Sequence, residues 1–403
     1  MALRSLYRCV LKAIVVVGLL SGIAGAEQAM PSDDPSFESQ VLFEAGHQGY
    51  RTYRIPSLVM TPKGTLLAAV AARYDGHGDW SDIDTMVRRS VDGGKTWTPQ
   101  AIVTDDGKNT VDNATFIVDP QSGKVYLMYQ INYARAYLKV SDDEGERWSA
   151  PREITSVFEQ FRDRDGYDWE VIAMGPGHGI VTHSGRFIVP VWLSTSHKHR
   201  PSIAATIYSD DQGATWQAGE IIAEHNDHTP NPSEHVLVAL ADGRVMANMR
   251  TESPQYRRFL AFSPDGVSNW SEPQSHPQLV EPICMGSMTR LDVPGREKQS
   301  NLLLFCNPNS EAPRTSSSGA KWGARKRQNV TIRVSDDQGT TWPLSRSIEP
   351  QDSGYSDVAV GPDGMIYVLY ESGKVNEHGA FIPGNITLAR FNLAWIEDGS
   401  SPE

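Results

Sequence analysis

Four copies of one eight-residue phrase run through the chain: Ser90-Val-Asp-Gly-Gly-Lys-Thr-Trp97, Ser141-Asp-Asp-Glu-Gly-Glu-Arg-Trp148, Ser209-Asp-Asp-Gln-Gly-Ala-Thr-Trp216 and Ser335-Asp-Asp-Gln-Gly-Thr-Thr-Trp342. A phrase of the form S-x-D-x-G-x-x-W that returns at intervals of tens of residues marks a repeated supersecondary unit, so the fold is modular. Its residues suit a tight hairpin. Ser and Asp hydrogen-bond their own turn backbone, Gly takes the left-handed position, and Trp clamps the turn onto a sheet face.

A second repeat is offset from the first. Gly64, Gly123, Gly185, Gly243, Gly295 and Gly364 each sit in a turn ahead of an apolar, β-branched or aromatic run such as TLLAAVAA or KVYLMYQI, with 52 to 69 residues between successive members. Ser263 to Trp270 is a degenerate fifth copy of the Trp phrase, with its glycine shifted by one place. Six units of this length predict an all-β fold, a six-bladed β-propeller. The ring closes by pairing the chain ends, and the last strand comes either from Asn385–Leu393 or from Val41–Gly46.

The 403 residues exceed the usual length of one domain, yet propellers run long and no Pro/Ser-rich linker divides the chain. Residues 27–403 therefore read as a single six-bladed propeller domain. The softest stretch, Asn309 to Ala324 with Ser316-Ser317-Ser318-Gly319, reads as a surface loop. At the start, Arg4, Arg8 and Lys12 precede the apolar run Ala13–Leu20, and Ala24-Gly25-Ala26 forms a small-residue cleavage motif. Residues 1–26 thus read as a signal peptide and the protein as exported, periplasmic or secreted. The apolar run is too short to span a membrane, so no span is expected in the mature chain.

The net charge of −12 becomes more negative when the leader's three cations leave. Such a chain is a poor partner for nucleic acid, and an anionic ligand must be held by a local cluster of cations. Of three cysteines, Cys9 departs with the leader. Cys284 and Cys306 fall in neighbouring strands and read equally as a disulfide or as two buried thiols.

The segment Tyr53-Arg54-Ile55-Pro56 places a charge in a strand too apolar to need one. Together with the Trp phrases it resembles the bacterial-type exo-sialidases (neuraminidases), six-bladed propellers with Asp-box repeats. The resemblance extends from about Phe43 to Glu371. It implies that Arg54, Arg250 and Arg327 bind a substrate carboxylate, a task that planar guanidinium groups suit by bidentate, permanently charged recognition. Arg325 and Lys326 lie beside Arg327, which leaves that third identity the most open.

The resemblance further implies Tyr355 as nucleophile, with Glu234, sixteen residues before Arg250, as its base. Sialidases use tyrosine where most glycosidases use a carboxylate, because a charged Asp or Glu would be repelled by the carboxylate on the anomeric carbon. The acid/base is expected at Asp79, with Asp82 its rival, on a loop that also carries Asp75 and Asp84; partial shielding from water would raise its pKa. Arg73, with Asp112 as partner, is expected at the sugar 4-hydroxyl, and Glu371 is expected to orient Arg54.

The remaining signals are weak. The histidines at 225, 228 and 235 match no metal-site spacing, and no metal or organic cofactor is expected. Gly175-Pro-Gly-His-Gly179 lacks a nucleotide-binding context and reads as a tight bend at a blade rim. Sequons begin at Asn113, Asn269, Asn329 and Asn385, two of them beside expected site residues, and read as chance. The expected function is an exo-α-sialidase that removes terminal sialic acid from sialylated glycans on glycoproteins, glycolipids and oligosaccharides, by a retaining mechanism. The alternatives are a non-catalytic sialic-acid-binding propeller, a trans-sialidase, or a hydrolase of a related 2-keto acid sugar. Oligomeric state has no signature in the sequence.

Overall fold

The computed structural model describes residues 34–76, 78–293, 295, 299–312, 325–375 and 381–399. The expected leader at 1–26 and the Ser316–Gly319 loop lie outside the described residues. Among these residues no helix is long and apolar enough to cross a membrane.

The architecture is all-β and propeller-like, built from antiparallel meanders. The first sheet takes Thr52–Met60, Leu66–Arg73, Ile83–Ser90 and Ala101–Thr104 in order; the fourth takes His235–Ala239, Val245–Met249, Arg257–Ser263 and Gln274–Val280. The second and third are five-stranded, centred on Val125–Ile131 and Phe187–Ser194. Second strands such as Leu66–Arg73 and Val125–Ile131 are buried along their whole length, which is why their sequences are apolar without alternation. Side chains interleave between adjacent sheets: Leu67 and Ala69 of the first pack with Phe116 and Leu127 of the second. The helix Ser156–Asp165 adds Val157, Phe158 and Phe161 to the core between the second and third sheets.

The expectation of six separate blades is corrected, because among the described residues the strands join into five hydrogen-bonded sheets. Leu344–Val360 runs for 17 residues without a break, pairing with Gln328–Ser335 through its first part and with Ile366–Val375 through its second. The strands expected of units five and six therefore share one seven-stranded sheet. Both candidates for closing the ring take part: Phe381–Phe391 pairs with Ile366–Val375, and Phe37–Phe43 pairs antiparallel with Phe381–Phe391 as the outermost strand.

Each Trp phrase forms the turn between a third and a fourth strand or its equivalent. In the four intact copies the Ser Oγ accepts the glycine N–H at 2.8 to 2.9 Å, and the Asp carboxylate accepts the N–H four residues on at 2.8 to 2.9 Å. The glycine also packs against the neighbouring sheet. At Gly145, with φ 76°, a Cβ would fall 2.6 Å from Leu67 Cδ2, so the phrase is both a turn and an inter-sheet clamp.

Strand register sorts the molecule into two ends. Met60 pairs with Leu66 and Leu66 with Ser90, next to Gly64 and the first Trp phrase, whereas Thr52 pairs with Arg73 and Arg73 with Ile83 at the opposite end. The same order holds in the sheets that follow: Val118, Val125 and Ser141 lie together, as do Val360 and Ile366. Trp phrases and turn glycines gather at one end, and Arg54, Arg73, Asp112, Glu234, Arg250, Arg327 and Tyr355 gather at the other.

The Gly175–Gly179 segment is not a rim bend. Gly177 and His178 pair in parallel with Thr115 and Phe116 on an inner strand, and His178 Nδ1 lies 2.8 Å from Asp357 Oδ1. At Gly177, φ is 102° and a Cβ would sit 2.8 Å from Met285 Cε, so only glycine lets this strand approach the centre. Cys284 and Cys306 are both buried free thiols, and burial pushes each up to about 12.

Candidate active site

Three of the expected site residues sit at register slips on inner strands, all at the same end. Pairing slips between Arg54 and Ser57, between Asp112 and Thr115, and between Ser353 and Ser356 just before and after Tyr355. Bulges of this kind re-aim side chains. Ile55 and Asn113 take φ values of 55° within two of these slips, a conformation that is costly for a β-branched isoleucine. Glu371, fully buried, ties two slips together: its Oε1 accepts Arg54 Nε at 3.1 Å and Ile55 N at 3.2 Å, and its Oε2 accepts Tyr355 N at 3.2 Å.

Glu234 and Arg250 flank one hairpin and are joined through their backbones, with Arg250 N donating to Glu234 O at 3.0 Å. Their side chains form an ion pair, and Arg250 Nη1 also donates to Tyr355 Oη at 2.9 Å. The Tyr355 hydroxyl in turn donates to Glu234 Oε1 at 2.5 Å. Arg54 and Arg327 lie against the Tyr355 ring, their Cζ atoms 5.3 and 5.2 Å from its centroid. Burial and the Glu234 charge push the Tyr355 phenol up, against the pull of Arg250, Arg327 and Arg54, so it rests protonated.

Asp79 closes the other side. Its Oδ1 lies 2.9 Å from Arg73 Nη1 and 3.7 Å from Arg54 Nη1, while Arg73 Nη2 reaches Asp112 Oδ2 at 3.0 Å. The expected upward shift of its carboxyl is corrected. Burial does act to raise it, but Arg73 and Arg54 outweigh burial and hold Asp79 below the usual carboxylate range. Its rival Asp82 is absent from the pocket lining and neighbours Asp75 and Asp105 instead; Asp84 lies on the strand Ile83–Ser90 and bonds Tyr50.

Arg54, Asp79, Glu234, Arg250, Arg327 and Tyr355 line a cavity of about 240 Å³, whereas Arg73, Asp112 and Glu371 lie behind it. Its remaining wall was not foreseen from sequence: Tyr133, Trp192 and His199 form an aromatic face, with Tyr133 and Trp192 ring centroids 4.9 and 5.1 Å from His199. Arg200 pairs with Glu252 beside it. Several polar atoms on the lining, among them Trp192 Nε1, His199 Nε2, Ser202 Oγ and Arg250 Nε, are buried without a partner among the described residues. A pocket lined by the guanidinium groups of Arg54, Arg250 and Arg327, with Ser202, Asn231 and Ser233 among its other polar residues, suits a small anionic, many-hydroxylated ligand. Among the described residues no group of three or more His, Cys, Asp or Glu is placed to share a metal ion.

Comparison with known proteins follows the same direction. The BNR repeat-like domain family matches residues 64–368. A sialidase of Micromonospora viridifaciens is 30% identical across 93% of this chain and 56% of its own length, and one of Bacteroides fragilis is 29% identical across 81% and 61%. The chain thus spans little more than half of these relatives. Sialidase-3 of Mus musculus is 27% identical, with 84% of this chain and 92% of the mouse protein covered. Among solved structures, the Hadza microbial sialidase Hz136 superposes with a TM-score of 0.72 at 27% identity, covering 89% of this chain and 69% of the other. An intramolecular trans-sialidase from Ruminococcus gnavus shares the fold at 18% identity, with a TM-score of 0.71 and 90% and 99% covered.

Proposed function

This chain belongs to the BNR-repeat sialidase family, and from that premise we propose that it is a glycoside hydrolase, an exo-α-sialidase acting on terminal sialic acid of sialylated glycans. One observation carries the proposal: the Tyr355 hydroxyl is held between Glu234 and Arg250 beneath the Arg54, Arg250 and Arg327 cluster. The arginines supply the charge that a carboxylate on an anomeric carbon demands, and the neutral phenol can approach that carbon without like-charge repulsion.

In this reading the Tyr355 oxygen bonds to the anomeric carbon while its proton passes to Glu234. Asp79 gives its proton to the departing glycosidic oxygen. Asp79 then takes a proton from water, whose oxygen displaces Tyr355, and the phenol recovers its proton from Glu234. Two inversions give retention. Asp79 starts as a carboxylate because of Arg73 and Arg54. A substrate carboxylate seated on Arg54 offsets that arginine's field, so binding itself raises the proton affinity of Asp79. Arg73 and Asp112, expected at the sugar 4-hydroxyl, are instead both fully buried behind the pocket, where their ion pair braces Asp79 rather than facing a ligand. We further propose that residues 1–26 are a cleaved signal peptide and that the propeller is exported.

The deciding experiment is incubation with a fluorogenic sialoside, with the first-released anomer followed by NMR. Release of the α-anomer supports double displacement. Binding of sialic acid with no turnover would replace this reading with that of a binding protein.

A further inference from the structure

The third arginine of the cluster is supported differently from the other two. Arg54 leans on Glu371 and Arg250 on Glu234. Among the described residues Arg327 has no carboxylate within ion-pair distance, and its Nη2 donates instead to the carbonyl of Ile283 at 2.6 Å. Ile283 has φ 60°, a left-handed conformation that crowds a β-branched side chain and persists only where its surroundings impose it.

A buried ion pair brackets this bend. Glu281 Oε1 accepts the Cys284 N–H at 2.8 Å across the bend, and Glu281 Oε2 accepts Arg258 Nη1 at 2.5 Å. The same Nη1 donates to the Cys284 carbonyl at 3.1 Å. Arg258 also reaches the neighbouring strand: its Nε donates to Asn248 Oδ1 at 2.6 Å and its Nη2 to Asn248 O at 2.8 Å. Asn248 lies two residues before Arg250. The pair therefore joins the strand that leads to Arg250 to the bend that holds Arg327. Both side chains are essentially inaccessible, at 0% and 1% exposure, and neither lines the pocket. A buried ion pair is rarely more stabilising than apolar packing of the same volume, so stability alone gives it little reason to be here.

We propose that Glu281 and Arg258 are a positioning pair for carboxylate recognition, which sets Arg327 relative to Arg250 by clamping the Ile283 bend. The proposal rests on the reading of these arginines as the ligands of a substrate carboxylate. Because they grip that carboxylate in both ground and transition states, loosening the clamp should appear mainly in KM.

The test compares wild type, Glu281→Gln, Ile283→Gly and the double variant, as full chains, by KM and kcat on a fluorogenic sialoside, by the Kd for free sialic acid, and by thermal unfolding. Glutamine keeps an acceptor for Cys284 but loses the charge that holds Arg258, and KM and Kd should rise about tenfold with a smaller change in kcat. Glycine occupies φ 60° without strain, so the double variant should recover most of that rise. Arg258→Lys, which keeps the charge but not the fork to Asn248, should raise KM in the same direction and serves if Glu281→Gln fails to fold. A lowered unfolding temperature and kcat with unchanged KM and Kd in folded Glu281→Gln and Arg258→Lys would show a purely structural pair and overturn the proposal. A wild-type protein that neither cleaves a sialoside nor binds sialic acid would instead overturn the functional reading, and this inference with it.

Discussion

The phenolic oxygen of Tyr355 lies 2.5 Å from Oε1 of Glu234, in a donor–acceptor pair between residues 121 positions apart in the chain. Phenylalanine at 355 keeps the ring that Arg54 and Arg327 pack against and removes only this oxygen. Binding of sialic acid should persist while hydrolysis falls by at least about a thousandfold. A fluorinated sialosyl fluoride should leave its sugar on the peptide that carries Tyr355 in the wild type, as read by mass spectrometry. Label on Glu234 would overturn the mechanism and leave the fold untouched.

Arg54→Lys tests carboxylate recognition directly. Lysine retains a charge beside Glu371 but loses the planar fork, so affinity for sialic acid should weaken by about 1–3 kcal/mol. A neutral analogue that lacks the carboxylate should bind variant and wild type alike. Calorimetry with the two ligands checks the difference, and an equal loss for both would mean that Arg54 shapes the pocket rather than pairing with charge.

Asp79 gives a pH signature. In the free protein Arg73 and Arg54 hold its carboxyl below the ordinary range, so the proton an acid must carry is lost at low pH. In the complex the substrate carboxylate offsets Arg54 and the proton is held to higher pH. The alkaline limb of kcat on a natural sialoside should therefore lie at higher pH than that of kcat/KM. Asp79→Asn should harm natural sialosides more than aryl sialosides with good leaving groups. Coincident limbs, or equal losses on both substrates, would remove Asp79 from the acid role.

The Trp-phrase aspartates predict an acid limit to stability. Asp92 is lowered to about 2 chiefly by the Thr96 hydroxyl, Asp143 to about 2 by the Arg147 N–H, and Asp211 to about 2 by the Thr215 hydroxyl, each from a usual value of 3.8. A depressed carboxyl contributes stability that is present above its unfolded value and is lost as pH falls through the folded one. Denaturant midpoints should hold above about pH 4 and drop toward pH 2. Asp211→Asn should flatten that drop, and parallel curves for variant and wild type would show that these turns are not its source.

What the sequence made legible was local. The Trp phrases and the turn glycines encode their own hydrogen bonds within a few residues, and the R-I-P segment, Tyr355 and Glu234 stand in short contexts that matched a family. Sheet count was less accessible, because turn residues report where a chain reverses and not that residues 349–353 stay extended through two sheets. Trp192 escaped notice because an aromatic in a buried strand reads as core, and Tyr133 and His199 because they sit in a turn and a polar loop with no motif of their own. The proton affinity of Asp79 depends on Arg54, which reaches it from another strand. Gly177 had the composition of a surface turn, and only the approach of Met285 and Asp357 reveals its central position.

The separation of the two ends has an evolutionary and practical reading. Trp-phrase turns and inter-sheet clamps gather at one end of the paired strands and the proposed site residues at the other, so few residues serve both demands. Changes at the clamp end should move the melting temperature with little effect on turnover, while changes near the register slips should move turnover at little cost in melting temperature. A library scored for both properties should therefore split into two populations that map to opposite ends of the strands. Directed changes in substrate preference can be sought at one end while stability is restored independently at the other.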